Sequence, residues 1–106
     1  MSTAAASAVP ARALANGVEM PVLGYGVFQT PPEETERCVR EALEIGYRLI
    51  DTAQAYGNEE GVGAALRDCG LDHQDVFLTT KVAPVNLTHD RAAASIDESL
   101  RLLGTD

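Results

Sequence analysis

Segments with the apolar pattern of a buried strand alternate with segments that have the period of an amphipathic helix, and this alternation constrains the fold most. The predicted strands cover residues 21–28, 47–51 and 76–82. A helix is predicted after each strand, and the last of these spans residues 88–103. Strands that alternate with helices in this way form a parallel sheet with right-handed crossovers. The sequence therefore predicts an α/β fold with the order βαβαβα.

Glycines and capping residues mark where the predicted helices begin and end. Thr30 is the predicted N-cap of the first helix, with prolines in the first turn and Glu33 at the capping-box position. Gly46 stands where a helix commonly ends in the left-handed conformation. Gly70 and Gly104 stand at the same point after the second and third helices. These signals bound the predicted helices on both sides.

The chain before the first long strand divides into a tail and a short hairpin. Residues 1–13 are rich in Ala and Ser, and we expect them to form a flexible tail. Residues 14–20 are expected to form a hairpin, because Asn16-Gly17 between apolar residues is a strong signal for a two-residue turn. Residues 14–106 then form one domain, which is expected to be partial.

The net charge and the composition limit the partners that this chain is expected to have. A formal net charge of −8 argues against nucleic acid and against an anionic membrane surface as partners. No apolar run approaches the roughly 20 residues of a membrane span, and the N-terminal stretch has no basic start typical of a secretory signal. We therefore expect a cytoplasmic location.

Cysteine and histidine usage predicts neither a disulfide nor a metal centre. Cys38 and Cys69 are expected to be buried free thiols in a reducing compartment, with a disulfide as the less favoured alternative. His73 and His89 are far apart in the sequence and belong to no cluster with metal-ligand spacing, so no metal site is predicted.

Three ionisable residues lie at or after the ends of two predicted strands. Asp51 ends the second strand, Tyr56 follows in the next loop, and Lys81 ends the third strand. Parallel strands end at the same edge of a sheet, so Asp51 and Lys81 could pair directly if their two strands are neighbours. An ammonium beside a phenol stabilises the phenolate, so that the phenol can exchange a proton with a carbonyl oxygen. The alternative is structural, with Asp51 capping a turn, Tyr56 exposed and Lys81 solvated.

Several segments around these residues resemble the aldo-keto reductase family. Residues 46–59, which read GYRLIDTAQAYGNE, are similar to the family signature GYRxIDTAxxYGNE. The Thr-Thr-Lys-Val segment at residues 79–82 resembles the family's third strand, and residues 20–28 resemble its first strand. Residues 97–106 are similar to the segment that leads into its fourth strand. The resemblance covers only the N-terminal portion of the family and is greatest to diketogluconate-reductase-like bacterial members.

The resemblance implies a (β/α)₈ TIM barrel that reduces aldehydes or ketones to alcohols with NADPH. By this resemblance Tyr56 would be the general acid, and Lys81 would help Tyr56 to lose its proton. Asp51 would orient Lys81 and lie near the nicotinamide ribose. Carried over in the same way, Gly26 and Val27 would border the cofactor. Phe28 would line the substrate pocket together with Tyr56, with the alternative that Phe28 is an apolar strand end.

The sequence also departs from the family pattern. The family's fourth catalytic residue is a histidine that follows a fourth strand, and neither His73 nor His89 corresponds to it. We therefore expect an N-terminal fragment, three βα units after a hairpin, that is inactive alone and does not bind NADPH tightly. One alternative is a non-catalytic assembly module that associates with itself or with a complementary fragment through open sheet edges. A small binding domain of unrelated role is the least favoured alternative.

Overall fold

The computed structural model describes residues 9–106, and the predicted order of strands and helices is present in them. Residues 1–8, which belong to the predicted tail, lie outside the described residues. The elements in chain order are β1 (Ala11–Ala13), β2 (Glu19–Pro21), β3 (Tyr25–Gly26), α1 (Pro32–Ile45), β4 (Leu49–Asp51), α2 (Glu59–Asp68), β5 (Phe77–Thr79) and α3 (His89–Leu103). β1 and β2 form an antiparallel pair, and β3, β4 and β5 form a parallel sheet in that order. The predicted fold class, a hairpin followed by three βα units, is confirmed.

The hairpin is wider than the sequence predicted. Ala11 pairs with Pro21, so the first strand lies before Leu14, where the hairpin was expected to begin. The turn spans Leu14 to Val18, because the Leu14 amide donates a hydrogen bond to the Val18 carbonyl over 2.7 Å. Gly17 adopts a φ of 86°, which the Asn-Gly signal anticipated. The turn residues therefore separate the paired strands and do not themselves belong to them.

The parallel strands are shorter than predicted, and the first differs most. Of residues 21–28 only Tyr25 and Gly26 pair with β4, because Pro21 belongs to the hairpin and the Val22 amide continues the hairpin by donating to the Pro10 carbonyl. The third strand likewise ends at Thr79. The prediction that Lys81 ends this strand is therefore wrong by two residues.

The first helix begins later than its capping signal predicted. α1 starts at Pro32, with Pro31 as its N-cap and no capping side chain, so the prediction of Thr30 as the N-cap is wrong. The reason is the Pro-Pro pair, since a residue before proline is held away from the helical conformation. Pro31 accordingly has a ψ of 144°.

The other predicted helix boundaries agree with the structure to within one or two residues. Asn58 is the N-cap residue of α2, and Thr88 is the N-cap of α3, where its hydroxyl accepts from the Arg91 amide. Gly46 and Gly104 end α1 and α3 with positive φ. These boundaries depend on local conformational preferences, which is why the sequence alone identifies them.

The core lies between the parallel sheet and the helices, and it is formed by side chains from every one of these helices. Its buried members are Val27, Val39, Leu43, Ile50, Val62, Ala65 and Leu103. Gly63 permits α2 and α3 to approach closely, since a Cβ at this position would lie 2.1 Å from the Leu102 carbonyl oxygen. Of the apolar side chains on α3, Leu103 is buried, whereas Ile96 is 45% exposed.

Both cysteines, Cys38 and Cys69, are free thiols, and each is half-buried. Within residues 9–106 no helix is both long enough and apolar enough to cross a bilayer. The same residues contain no group of three or more potential metal ligands.

Candidate active site

The carboxyl ends of β4 and β5 bring the three ionisable residues together. Asp51 is the last residue of β4, and Tyr56 ends a 3₁₀ turn formed by Gln54–Tyr56. Parallel pairing continues beyond the strands, because the Thr52 amide donates to the Thr79 carbonyl over 2.8 Å and the Gln54 amide donates to the Lys81 carbonyl over 3.1 Å. The main chain after β4 therefore runs beside the main chain after β5, which carries Lys81.

Lys81 and Asp51 form a two-pronged ion pair. The Lys81 ammonium donates to both carboxylate oxygens of Asp51, over 2.8 and 2.9 Å, and to the Thr52 carbonyl over 2.9 Å. An ammonium has three protons, so these bonds occupy its donors. The pair lies at the surface, where the Lys81 and Asp51 side chains are 49% and 38% exposed. Lys81 is thus fixed in orientation and remains accessible.

Two aromatic rings complete this group. The Lys81 Nζ atom lies 5.3 Å from the centroid of the Tyr56 ring. The rings of Phe28 and Tyr56 are 5.2 Å apart at an interplanar angle of 53°. Phe28 is 66% exposed, so its free face borders the same open surface. We call Phe28, Asp51, Tyr56 and Lys81 the strand-end cluster.

The environment of Lys81 favours its charged form. Burial lowers the pKa of the Lys81 ammonium, but the hydrogen bonds and the negative charge of Asp51, with a smaller contribution from Tyr56, outweigh it. The pKa of Lys81 is therefore raised above its ordinary value of 10.5. Stabilisation from the pair is fully present below pH 10.5 and is lost as the pH rises through the higher folded-state value.

Because Lys81 is the only lysine in the chain, its titration can be followed on one NMR signal from isotopically labelled lysine. We expect a midpoint above 10.5. In Asp51→Asn, burial persists without the opposing charge, so the midpoint should fall relative to that of the wild type. Asp90→Asn, at a fully exposed aspartate, is the matched control and should leave the midpoint unchanged. A midpoint equal in the wild type and in Asp51→Asn would contradict this electrostatic interpretation.

The two residues predicted to border a cofactor have different environments. Gly26 is exposed, and a Cβ built on it would lie 3.9 Å from Asp51 Oδ2, so the absence of a side chain leaves the carboxylate open on this side. Val27 is completely buried in the core. Its amide donates to the Asp51 carbonyl over 3.1 Å, which attaches the chain after β3 to the end of β4.

A buried asparagine joins the two loops that flank the strand-end cluster. The Asn58 side chain donates to the carbonyls of Val27 and Thr30 and accepts from the Thr52 hydroxyl over 2.9 Å. Only 1% of Asn58 is exposed. The sequence alone does not predict this role of Asn58. The available signal was a polar amide between a glycine and a glutamate in the segment that leaves a buried strand.

A buried glutamate lies next to this asparagine and was also missed. Glu59 is 5% exposed and accepts hydrogen bonds from the hydroxyls of Thr80 and Ser99. Its donors are 21 and 40 residues away in the sequence. The sequence alone does not predict this role of Glu59, because no local pattern reveals donors this distant.

Comparison with known proteins identifies the wider family. The model of the aldo/keto reductase family matches residues 22–106. The morphine 6-dehydrogenase of Pseudomonas putida is 47% identical over 93 residues, which are 88% of this chain and 31% of that protein. The solved structure of a proposed 2,5-diketo-D-gluconic acid reductase B has a TM-score of 0.86 at 48% identity, over 94% of this chain and 35% of that one.

A third relative has been solved with a nucleotide. The aldo-keto reductase of Bombyx mori, in complex with NADP, has a TM-score of 0.85 at 30% identity over 92% of this chain and 35% of that one. The chain thus spans about a third of the length of the relatives that it matches. Its three βα units correspond to the N-terminal part of their (β/α)₈ barrels. The predicted resemblance is confirmed, and the chain belongs to the aldo/keto reductase family.

Proposed function

We propose that this chain provides the proton-donating part of a reductase that converts aldehydes or ketones to alcohols with NADPH. The observation that carries the proposal is the fixed contact between a charged lysine and a tyrosine at one open edge of a parallel sheet. Lys81 bonds to Asp51 through two hydrogen bonds and lies 5.3 Å from the Tyr56 ring. Family membership supports the same reaction class.

In this proposal Tyr56 is the general acid. Its phenolic proton passes to the oxygen of the substrate carbonyl, and the charge left on the phenolate is stabilised by the neighbouring Lys81 ammonium. Asp51 holds that ammonium charged and in place, since its carboxylate accepts two hydrogen bonds from it. NADPH, when bound, supplies the hydride that reaches the carbonyl carbon. In the reverse direction the Tyr56 phenolate takes the proton back from the alcohol.

The open side of the strand-end cluster fits the nicotinamide end of such a cofactor. Asp51 is partly exposed and offers carboxylate oxygens to sugar hydroxyls, and Gly26 has no side chain to cover them. Phe28 offers an exposed aromatic face to an apolar substrate group. The cluster contains one cation, and that cation is already paired with Asp51. Cofactor phosphates would therefore be held by groups outside the cluster, as expected for a chain that spans a third of its relatives.

An assembly role without catalysis is the second candidate. β5 lies at the end of the sheet order, so one of its edges pairs with no strand among residues 9–106. A cavity of 270 Å³ opens beside it and is lined largely by apolar side chains, among them Leu66, Val76, Leu78 and Leu100. Unpaired strand edges with apolar surroundings favour association with a further strand.

We further propose a cytoplasmic location, which the two free thiols support.

The reductase proposal is tested by a hybrid protein. Residues 1–106 replace the matching N-terminal segment of the Pseudomonas putida relative, and the hybrid is incubated with NADPH and an electron-poor aldehyde such as 4-nitrobenzaldehyde. We expect NADPH oxidation, followed as loss of its near-ultraviolet absorbance, because the host supplies the remaining two thirds of the barrel. The unaltered host is the positive control. A folded hybrid that binds NADPH yet never oxidises it would overturn the proposal.

The 106-residue chain alone gives the complementary measurement. We expect no NADPH oxidation, and no change in NADPH fluorescence beyond weak binding, since the phosphates have no cationic site in the cluster. Light scattering on the same sample reports its assembly state. A stable, uniform assembly together with an inactive hybrid would favour the non-catalytic role. Tight NADPH binding by the chain alone would contradict the need for the rest of the barrel.

A further inference from the structure

Side chains from the segment that carries Tyr56 hold the residues on both sides of Lys81. On one side, the Thr80 hydroxyl donates to Glu59 Oε2 over 2.7 Å. On the other side, the Ala83 amide donates to the side-chain oxygen of Gln54 over 2.7 Å. The Gln54 amide also donates to the Lys81 carbonyl. The position of Lys81 is therefore restrained immediately before and shortly after it.

A serine on α3 joins these two restraints. The Gln54 side-chain amide donates to Ser99 Oγ over 3.1 Å, and Ser99 Oγ donates to Glu59 Oε1 over 3.1 Å. Ser99 and Glu59 are 3% and 5% exposed, so their bonds are shielded from competing water. We call Gln54, Glu59 and Ser99 the clamp. The Asn86 side chain adds a second donor to the Gln54 oxygen, over 3.0 Å.

The clamp also fixes the tyrosine. Gln54 and Glu59 lie on either side of Tyr56 in the sequence, so the clamp restrains the segment that carries Tyr56 at both ends. Asp51 orients the ammonium of Lys81, whereas the clamp bonds to Thr80 and Ala83, on either side of Lys81. A lysine stem is flexible, and its reach depends on where the backbone starts. The 5.3 Å separation between Lys81 Nζ and the Tyr56 ring therefore depends on the clamp as well as on Asp51.

We propose that Gln54 is a positioning residue, which, through the clamp, sets the geometry of Lys81 against Tyr56. This inference rests on the proposed function, because the geometry matters only if Tyr56 exchanges a proton. Gln54 forms its side-chain bonds with Ala83, Asn86 and Ser99, so it acts through the loop after β5. Through Ser99, the clamp connects helix α3 to the segments that carry Tyr56 and Lys81.

The single lysine makes this geometry directly measurable in the 106-residue chain. Lysine labelled with ¹³C at the ε carbon gives one signal, whose proton shift is displaced by the ring current of Tyr56 and which shows a nuclear Overhauser contact with that ring. The variant Tyr56→Leu gives the proton shift of Lys81 in the absence of the aromatic ring. Gln54→Met keeps the side-chain length and removes its hydrogen bonds. Gln74→Met, at an exposed glutamine far from the clamp, is the matched control.

We expect Gln54→Met to lose most of the ring-current displacement and the contact with Tyr56, while core amides such as those of Val39 and Val62 keep their shifts. Gln74→Met should retain the wild-type signal. Gln54→Glu, which keeps the oxygen that accepts from Ala83 but loses the donor to Ser99, should retain more of the signal than Gln54→Met. A purely structural role for Gln54 would alter core amides and leave the Lys81 contact intact in the folded population, and that result would overturn the proposal.

A milder variant covers the case in which Gln54→Met does not fold. Ser99→Ala removes only the link between Gln54 and Glu59 and should cause a partial loss of the same signal. A folded Ser99→Ala chain with the full wild-type signal would count against the clamp. The measurement needs neither cofactor nor turnover, so it can fail while the hybrid remains an active reductase. Equally, the clamp can hold in a chain whose hybrid shows no reduction.

Discussion

Tyr56→Phe in the hybrid reductase is expected to lower kcat by about 10² to 10⁴-fold, the range typical of losing a positioned general acid. The substitution removes one oxygen and keeps the ring. The Tyr56 ring still packs against Phe28, and Asp51 still holds the Lys81 ammonium, so the local fold should persist. The loss should therefore fall on kcat, with a small change in KM for the aldehyde, because substrate binding does not require the proton. Steady-state NADPH oxidation measures both constants.

Tyr47→Phe is the matched control for this change. Tyr47 also packs against an aromatic ring, that of Tyr25 at 5.9 Å, but it lies before β4 and outside the strand-end cluster. Its kcat should equal that of the parent hybrid. If Tyr56→Phe kept more than about a tenth of the parent kcat, the loss would be smaller than that expected for a general acid. Tyr56 would then not be the proton donor.

Gly63→Ala is expected to cause a large loss of stability. A Cβ at this position would lie 2.1 Å from the Leu102 carbonyl oxygen and 2.9 Å from Leu103 Cα. Both are backbone atoms, so α3 must move away from α2 and draw Leu103 out of the core. Overpacking of this kind costs about 1–3 kcal/mol, and the loss of Leu103 packing adds a similar amount. Alanine's higher helix propensity returns only about 1 kcal/mol.

Urea unfolding followed by circular dichroism measures this effect. Glu60→Ala, at an exposed position of the same helix, is the control and should change the free energy of unfolding by about 0.5 kcal/mol or less. The net loss for Gly63→Ala should lie between about 1 and 5 kcal/mol, a large share of the 5–15 kcal/mol typical of a domain. An unchanged unfolding midpoint for Gly63→Ala would show that α2 and α3 do not pack as closely as described.

Local signals in the sequence determined which elements form. The apolar period of each helix and the glycines after it, such as Gly46 and Gly104, depend on neighbouring residues, so α1, α2 and α3 were predicted within one or two residues at most ends. The Pro31-Pro32 pair moved one boundary, because the cost of a helical residue before proline outweighs a favourable cap at Thr30. Strand lengths were less accurate, since a strand ends where its partner ends.

The sequence alone also predicted that Asp51, Tyr56 and Lys81 lie at or after the ends of two strands. That inference needed only the rule that parallel strands end on the same side of a sheet. Their chemical types and order then indicated proton transfer, and the match with residues 46–59 indicated the family. The two-pronged contact of Lys81 with Asp51 was not predicted in detail, because Lys81 reaches back from two residues beyond its strand.

The sequence by itself therefore determined the order of elements, the family and the composition of the strand-end cluster, because each depends on short segments read in order. Only the tertiary structure decided what restrains that cluster. The bond from Gln54 to Ser99 joins residues 45 positions apart, and Gly63 reads in the sequence as an ordinary weak point in a helix. Hydrogen-bond partners and close approaches depend on where whole elements pack, and packing is set by the sum of many long-range contacts that no local pattern contains.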